Sequence, residues 1–91
     1  MERMRHMRQA LKKRSVWVLS TTDNLRDIGM KTMVSLHHSL KKAEKEMLID
    51  IGAAISFGKV RMVDLRWDRT GLFVVSADER LCWSIEMMEV D

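Results

Sequence analysis

The order of apolar and polar residues along the chain predicts strands on both sides of a long helix. Residues 15–21 form a short run in which Val16, Trp17, Val18 and Leu19 leave no polar face. A run of this kind is typical of a strand that is covered on both sides. Residues 22–25 have turn-like composition, and the pattern leaves open whether residues 25–29 form a second strand or lead into a helix.

The strongest periodic signal covers residues 30–54. Apolar residues and one histidine recur there at spacings of three and four, which indicates one face of a helix. Lysines occupy most of the opposite face. The sequence therefore predicts a long amphipathic helix that ends near Gly52 or Gly58. Its apolar face consists of Met30, Met33, Val34, His37, Leu40, Met47, Leu48 and Ile51.

The last third of the chain alternates in a way that predicts a three-stranded meander. Three strand segments, separated by turn-like residues 68–71 and 78–80, make up this part of the chain. Trp17, Trp67 and Trp83 lie on apolar strand faces, and we expect them in the core. The strand segments are residues 59–67, 72–77 and 81–87.

Basic residues are concentrated at the N-terminus, where good helix formers predict a helix over residues 2–14. Residues 1–14 carry a net charge of +5, whereas the remaining residues carry −2. Lysine and arginine neutralise phosphate, so this helix is the candidate nucleic-acid contact. The alternative is a solvated helix that packs its narrow apolar stripe on the sheet. The candidate contacts are Arg3, Arg5, Arg8, Lys12, Lys13 and Arg14.

These elements together predict an α+β fold in a single domain of residues 1–91. We expect an antiparallel sheet of four to five strands, an N-terminal basic helix, a long central helix and a C-terminal three-stranded meander. Residues 1–14 form the basic helix and residues 15–91 form the α+β body. A chain of 91 residues with 46% hydrophobic content suits one domain of this kind.

Composition also restricts the cellular setting. No apolar run approaches the roughly 18 residues needed to cross a bilayer, so we expect no membrane span. The chain has one cysteine, which excludes an internal disulfide and favours a reducing, cytoplasmic location. Nine methionines accompany no proline and no tyrosine. Methionine either fills a core or provides an adaptable interface.

Residues with catalytic or metal-binding chemistry are few. His37 and His38 are adjacent, and adjacent residues on a helix point too far apart to bind one zinc ion. Cys82 has no base close to it in the sequence, and a nucleophilic cysteine needs one. Glycine-rich phosphate loops are absent. The sequence therefore predicts no catalytic residues, no metal, no cofactor and no enzymatic activity.

The order of elements resembles the Roadblock family, which comprises the dynein-light-chain roadblock-type and MglB-like domains. Strand 15–21, helix 30–54 and the segments 58–67, 71–76 and 80–85 carry the resemblance. It implies a five-stranded antiparallel sheet between helices, and a homodimer or heterodimer formed through the long helix and a neighbouring edge strand. It also implies a role as an adaptor or regulator of small Ras-like GTPases or motor complexes.

Two hypotheses for function follow. The first is a non-enzymatic dimeric adaptor or regulatory module that binds itself and another protein through the apolar face of the long helix. The second is a small basic nucleic-acid-binding protein that uses the N-terminal helix. Contiguous apolar surface usually marks an interface, and this favours the first hypothesis.

Overall fold

The structure is a computed structural model, and it describes residues 14–25 and 29–90. The predicted N-terminal helix therefore lies outside the described residues, except at its last position. The same holds for the predicted nucleic-acid contacts Arg3, Arg5, Arg8, Lys12 and Lys13. Arg14 is the first residue of a strand, not the end of a helix.

Five antiparallel strands form one sheet in the order β2-β1-β5-β4-β3. One α-helix and a short 3-10 helix (Met62–Asp64) lie between β2 and β3. The elements are β1 (Arg14–Leu25), β2 (Gly29–His37), α1 (Leu40–Ser56), β3 (Leu65–Trp67), β4 (Phe73–Ser76) and β5 (Leu81–Val90).

The predicted arrangement of the fold is wrong in two respects. The described residues contain no long central helix, because α1 begins at Leu40 and the preceding part of the predicted helix is strand β2. The strands also do not make up a C-terminal meander. Two of them precede the helix, and β5 pairs with β1 over ten residues but with β4 over only three.

The ambiguity of residues 29–37 explains the error in the helix. Met30, Met33, Val34 and His37 have helical spacing, but Met30, Val34 and Leu36 also fall on one side of a two-residue period, with the polar Lys31 and Ser35 on the other side. In the structure this segment is extended and pairs with β1 from Trp17 to Leu25. Pairing with β1 selects the strand over the helix, and the local periodicity of the sequence holds no information about this pairing.

Local signals at both ends fix the limits of α1. The Ser39 hydroxyl caps the first turn by accepting a hydrogen bond from the Lys42 N–H at 3.2 Å. At the other end Gly58 has φ +75°, a conformation that glycine adopts without strain. The Lys59 N–H then donates to the Ala54 carbonyl at 2.9 Å. This is the Schellman ending of a helix.

The core lies between α1 and one face of the sheet. Leu19, Val74, Trp83 and Ile85 contribute large side chains from three strands. The helix contributes residues spaced by three and four, which is its buried stripe. Trp17 packs at the border of this core, whereas Trp67 is 45% exposed, so the prediction of three core tryptophans is wrong for Trp67. The buried helix residues are Ala43, Met47, Ile51 and Ala54.

Candidate functional site

The residues predicted to form one helix face occupy three different environments. Four of them lie on β2 and belong to no helix. Met47 and Ile51 are buried in the chain's own core, where no partner reaches them. Leu40 packs partly against that core, and Leu48 is exposed. The four on β2 are Met30, Met33, Val34 and His37.

Strand register shows which side chains face away from α1. Side chains of directly paired residues share a face, and the face changes at each residue. Val18 pairs with Leu36 on one side and with Glu86 on the other, and Val16 pairs with Met88. These residues alternate with the buried Leu19, so they face away from the helix. We call this surface the open face.

Large apolar side chains lie exposed on the open face. Antiparallel sheets that cover one side usually place polar residues on the other. Here three strands contribute apolar residues, and each is at least 41% exposed. No element within residues 14–25 and 29–90 packs over them. These residues are Met30, Val34, Leu36, Phe73, Met88 and Val90.

Sequence reasoning found only part of this surface. Met30 and Val34 were included because they fit helical spacing. The sequence pattern misses Leu36 and Met88. Leu36 follows Val34 by two positions, as on one face of a strand, whereas Met88 lies on the opposite strand face from the alternating Trp83, Ile85 and Met87. The two-residue spacing of Val34 and Leu36 was the signal that could have revealed Leu36, had it been weighed against the helical period. Met88 joins this surface only through the pairing of β5 with β1.

Strand β2 also presents a free edge. It is the terminal strand of the sheet, and within the described chain it pairs with β1 alone. Exposed edge strands offer unpaired N–H and C=O groups to another chain. Natural proteins often protect such edges with charges, and Lys31 is the one lysine that β2 carries. The edge is therefore a second candidate surface.

A cleft of about 240 Å³ lies next to this edge, on the helix side of the sheet. Lys31 and Met33 of β2 form one wall, and Ala53 and Phe57 of α1 form another. Trp83 belongs to the floor. Phe57 is 81% exposed, so its ring stands at the mouth of the cleft. The cleft combines an apolar floor with charged walls.

The acidic groups that line the cleft already have hydrogen-bond partners. Asp23 forms an ion pair with Arg80 at 3.0 Å. Asp50 accepts a hydrogen bond from the Thr21 hydroxyl at 3.3 Å. Lys31 and Lys59 also line the cleft, and neither takes part in an ion pair among the described residues. Among the described residues, two cations of the cleft (Lys31 and Lys59) and one carboxylate (Asp50) therefore lack an ion pair, which leaves an excess of one positive charge.

Trp83 is the largest fully buried side chain of the core, and its indole N–H has no acceptor within the described chain. A buried donor without a partner costs about 1–3 kcal/mol. The atom itself is shielded from solvent, so it is not a surface for a ligand. At the floor of the cleft, the free energy gained by burying the Trp83 ring therefore exceeds the cost of its missing hydrogen bond.

The remaining groups with potential chemistry have structural environments. Asp68 accepts hydrogen bonds from Thr70 and from the Gly71 N–H, and the Thr70 bond lowers the pKa of this carboxyl. The Ser76 hydroxyl donates to Asp78 at 2.6 Å and lowers the pKa of Asp78. Both carboxylates hold turns, as their positions in the sequence indicate.

Cys82 and His37 also lie away from any cluster. Cys82 sits half-buried on the open face, and burial raises the pKa of its thiol. The His37 ring lies 2.9 Å from the Ser35 hydroxyl. Among the residues placed by the structure, no three His, Cys, Asp or Glu side chains come together as a metal site would require.

Within the described segments, no helix has the length and apolar character needed to cross a membrane. Comparison of the chain with family models, with curated proteins and with solved structures finds no match.

Proposed function

We propose that this chain is a non-enzymatic protein-interaction module that forms a homodimer through the open face and acts as an adaptor for another protein. One observation carries the proposal, namely the six large apolar side chains exposed on that face. Apolar patches of this kind on a small domain usually mark an interface. A symmetric dimer would bring two copies of the same surface together.

The energetics allow reversible association of two such faces. Completing the burial of a half-exposed apolar side chain contributes on the order of 1 kcal/mol. Twelve such side chains, six from each copy, therefore contribute on the order of 10 kcal/mol. The loss of translational and rotational freedom costs about 4–15 kcal/mol. The two quantities are similar in size, so we expect a reversible dimer.

The adaptor role is the part of the proposal that depends on the order of elements. That order resembles the Roadblock family, whose members serve small GTPases and motor complexes. A dimer that buries the open face leaves the β2 edge available for a second protein. A small GTPase or a motor subunit is accordingly the partner class that we propose.

Sedimentation equilibrium tests the dimer and its location. At about 100 µM, a concentration well above the Kd of a micromolar complex, we expect the parent chain to sediment as a dimer. Leu36→Lys places a charge on the open face and should yield monomers. The matched control is Leu48→Lys, which changes an exposed leucine on α1 and should leave the dimer intact.

Two outcomes would contradict the proposal. The first is a parent chain that stays monomeric at that concentration. The second is the reverse pattern, in which Leu48→Lys separates the protomers and Leu36→Lys does not, because that result would place the contact on the helix.

The net charge of +5 in residues 1–14 favours nucleic-acid binding as a second candidate function. This candidate predicts RNA or DNA binding that weakens steeply as salt rises. Replacing Arg5, Arg8, Lys12 and Lys13 with alanine should abolish such binding and leave the body folded. Equal, negligible binding by the parent and the variant at low salt would remove this candidate.

A further inference from the structure

The free edge of β2 and the cleft beside it belong to one continuous surface. Lys31 and Met33 have their backbones in the edge strand and their side chains in the wall of the cleft. A strand added along this edge would be the next strand of the sheet. Every second side chain of that strand would then lie on the α1 side, beside the cleft.

We propose that the cleft receives one large apolar side chain of an extended partner peptide that pairs with the free edge of β2, with an acidic residue of the peptide set against Lys31 and Lys59. This inference rests on the proposed function, because it specifies how the adaptor holds its second partner. In such recognition, main-chain hydrogen bonds supply affinity and pockets for alternate side chains supply specificity.

The size of the cleft favours a single side chain over a cofactor or nucleotide. Pockets for drug-sized ligands have volumes of about 300–1,000 Å³, whereas a dry cavity of about 150 Å³ holds benzene. The volume here, about 240 Å³, lies between these values. It suits a phenylalanine or leucine side chain, and the floor of Leu81 and Trp83 matches that chemistry.

The cleft has two unpaired cations against one unpaired carboxylate, Asp50, and this excess of positive charge favours an acidic neighbour for the apolar residue. Asp23 is paired with Arg80, and Asp50 is hydrogen-bonded to Thr21. Lys31 and Lys59 are the cations of the cleft that lack an ion pair within the described chain. An acid two positions from the apolar residue lies on the same side of an extended peptide, which brings it to these ammonium groups.

The test uses a defined heptapeptide, acetyl-Thr-Glu-Thr-Phe-Thr-Glu-Thr-amide. Its alternation places Phe and both Glu on one side, and acids on both flanks serve either strand direction. Added to the ¹⁵N-labelled 91-residue chain, the peptide should shift amide resonances of Gly29–His37 and of residues 53–59. Replacing Phe with Ala should weaken binding about tenfold or more.

Two variants locate the contact. Ala53→Phe fills the cleft from an exposed helix position and should abolish peptide binding while circular dichroism stays unchanged. The matched control is Ile49→Phe, which lies on the same helix outside the cleft lining and should bind normally. Lys31→Glu should reject the Glu peptide and accept the version with Lys at both Glu positions.

The outcomes separate this inference from the proposed function, since sedimentation reports the dimer independently. A dimer that shows no peptide shifts, or shifts confined to the open face, overturns the inference alone. Peptide binding at β2 by a chain that stays monomeric supports the inference and overturns the dimer. A peptide that dissociates the dimer identifies the β2 edge as the contact between copies, and this result overturns the assignment of the cleft to a separate partner.

Discussion

At the scale of single residues, burial separates side chains that the sequence placed together. The apolar helical pattern assigns both Met47 and Leu48 to one interface. Met47 is 1% exposed and Leu48 is 56% exposed. Adjacent residues on a helix point about 100° apart, so a stripe defined too broadly includes residues that face opposite surroundings. Met47 therefore contributes to the core, and Leu48 contributes to the surface.

This difference makes a direct prediction for stability. Met47→Ala should lower the free energy of unfolding by about 2–5 kcal/mol, because it leaves a cavity in the core. Leu48→Ala should change it by less than about 0.5 kcal/mol. Urea denaturation monitored by circular dichroism measures both. Similar losses in the two variants would mean that α1 is rotated from the orientation described.

Cys82 provides a chemical probe of the open face. Burial raises the pKa of its thiol, so less thiolate is present at neutral pH than in a free cysteine. We expect alkylation at neutral pH to be slower than that of a free thiol, and slower still as protein concentration rises and the dimer covers the face. Labelling of the urea-unfolded chain is the control.

The rate at different pH values distinguishes the alternatives for Cys82. Because the pKa of Cys82 is raised in the folded chain, its alkylation rate should still increase at pH values where the rate for a free thiol has already reached its maximum. Labelling faster than that of the free thiol near neutral pH would instead indicate an activated nucleophile, and it would return Cys82 to the list of catalytic candidates.

At the scale of secondary-structure elements, the boundary between β2 and α1 shows what local sequence can and cannot predict. The Ser39 cap and the glycine at position 58 are local signals that mark both ends of α1. The strand at residues 29–37 depends on pairing with β1, a contact between segments that periodicity treats separately. The apolar spacing of that segment fits both a helix and a strand, and the longer-range pairing with β1 makes it a strand.

The cap at Ser39 should be worth a measurable share of the stability. Ser39→Ala removes the acceptor for the Lys42 N–H and should lower the free energy of unfolding by about 1 kcal/mol. Ser39→Asp supplies a carboxylate oxygen as the acceptor at the same place and should retain most of this stability. Thermal unfolding followed at the helix signal measures both. An unchanged midpoint for Ser39→Ala would place the start of the helix elsewhere.

At the scale of the whole molecule, strand order creates the surfaces that the sequence does not display. Strand β1, the first strand of the described chain, lies between β2, which follows it in sequence, and β5, the last strand. This order gathers Leu36, Phe73 and Met88 onto one face, although they are far apart in sequence. It also leaves β2 at the edge, beside the cleft. Neither the membership of the open face nor the cleft follows from local pattern, because both depend on which strands pair.

The two surfaces have separate roles in the account proposed here. The open face exposes six large apolar side chains, whereas the cleft is small and has two unpaired cations against one unpaired carboxylate. A homodimer through the first would present two copies of the second, one on each protomer. A partner with two suitable segments would then gain avidity from binding both.

The most direct test of the central claim is an isotope-filtered nuclear Overhauser measurement on a mixture of labelled and unlabelled chains at high concentration. If the open face is the contact between copies, the spectra will show contacts between protomers that involve the methyl groups of Val34, Leu36 and Met88. Contacts between protomers that involve only α1 side chains, or none at all in a monomeric sample, would contradict it.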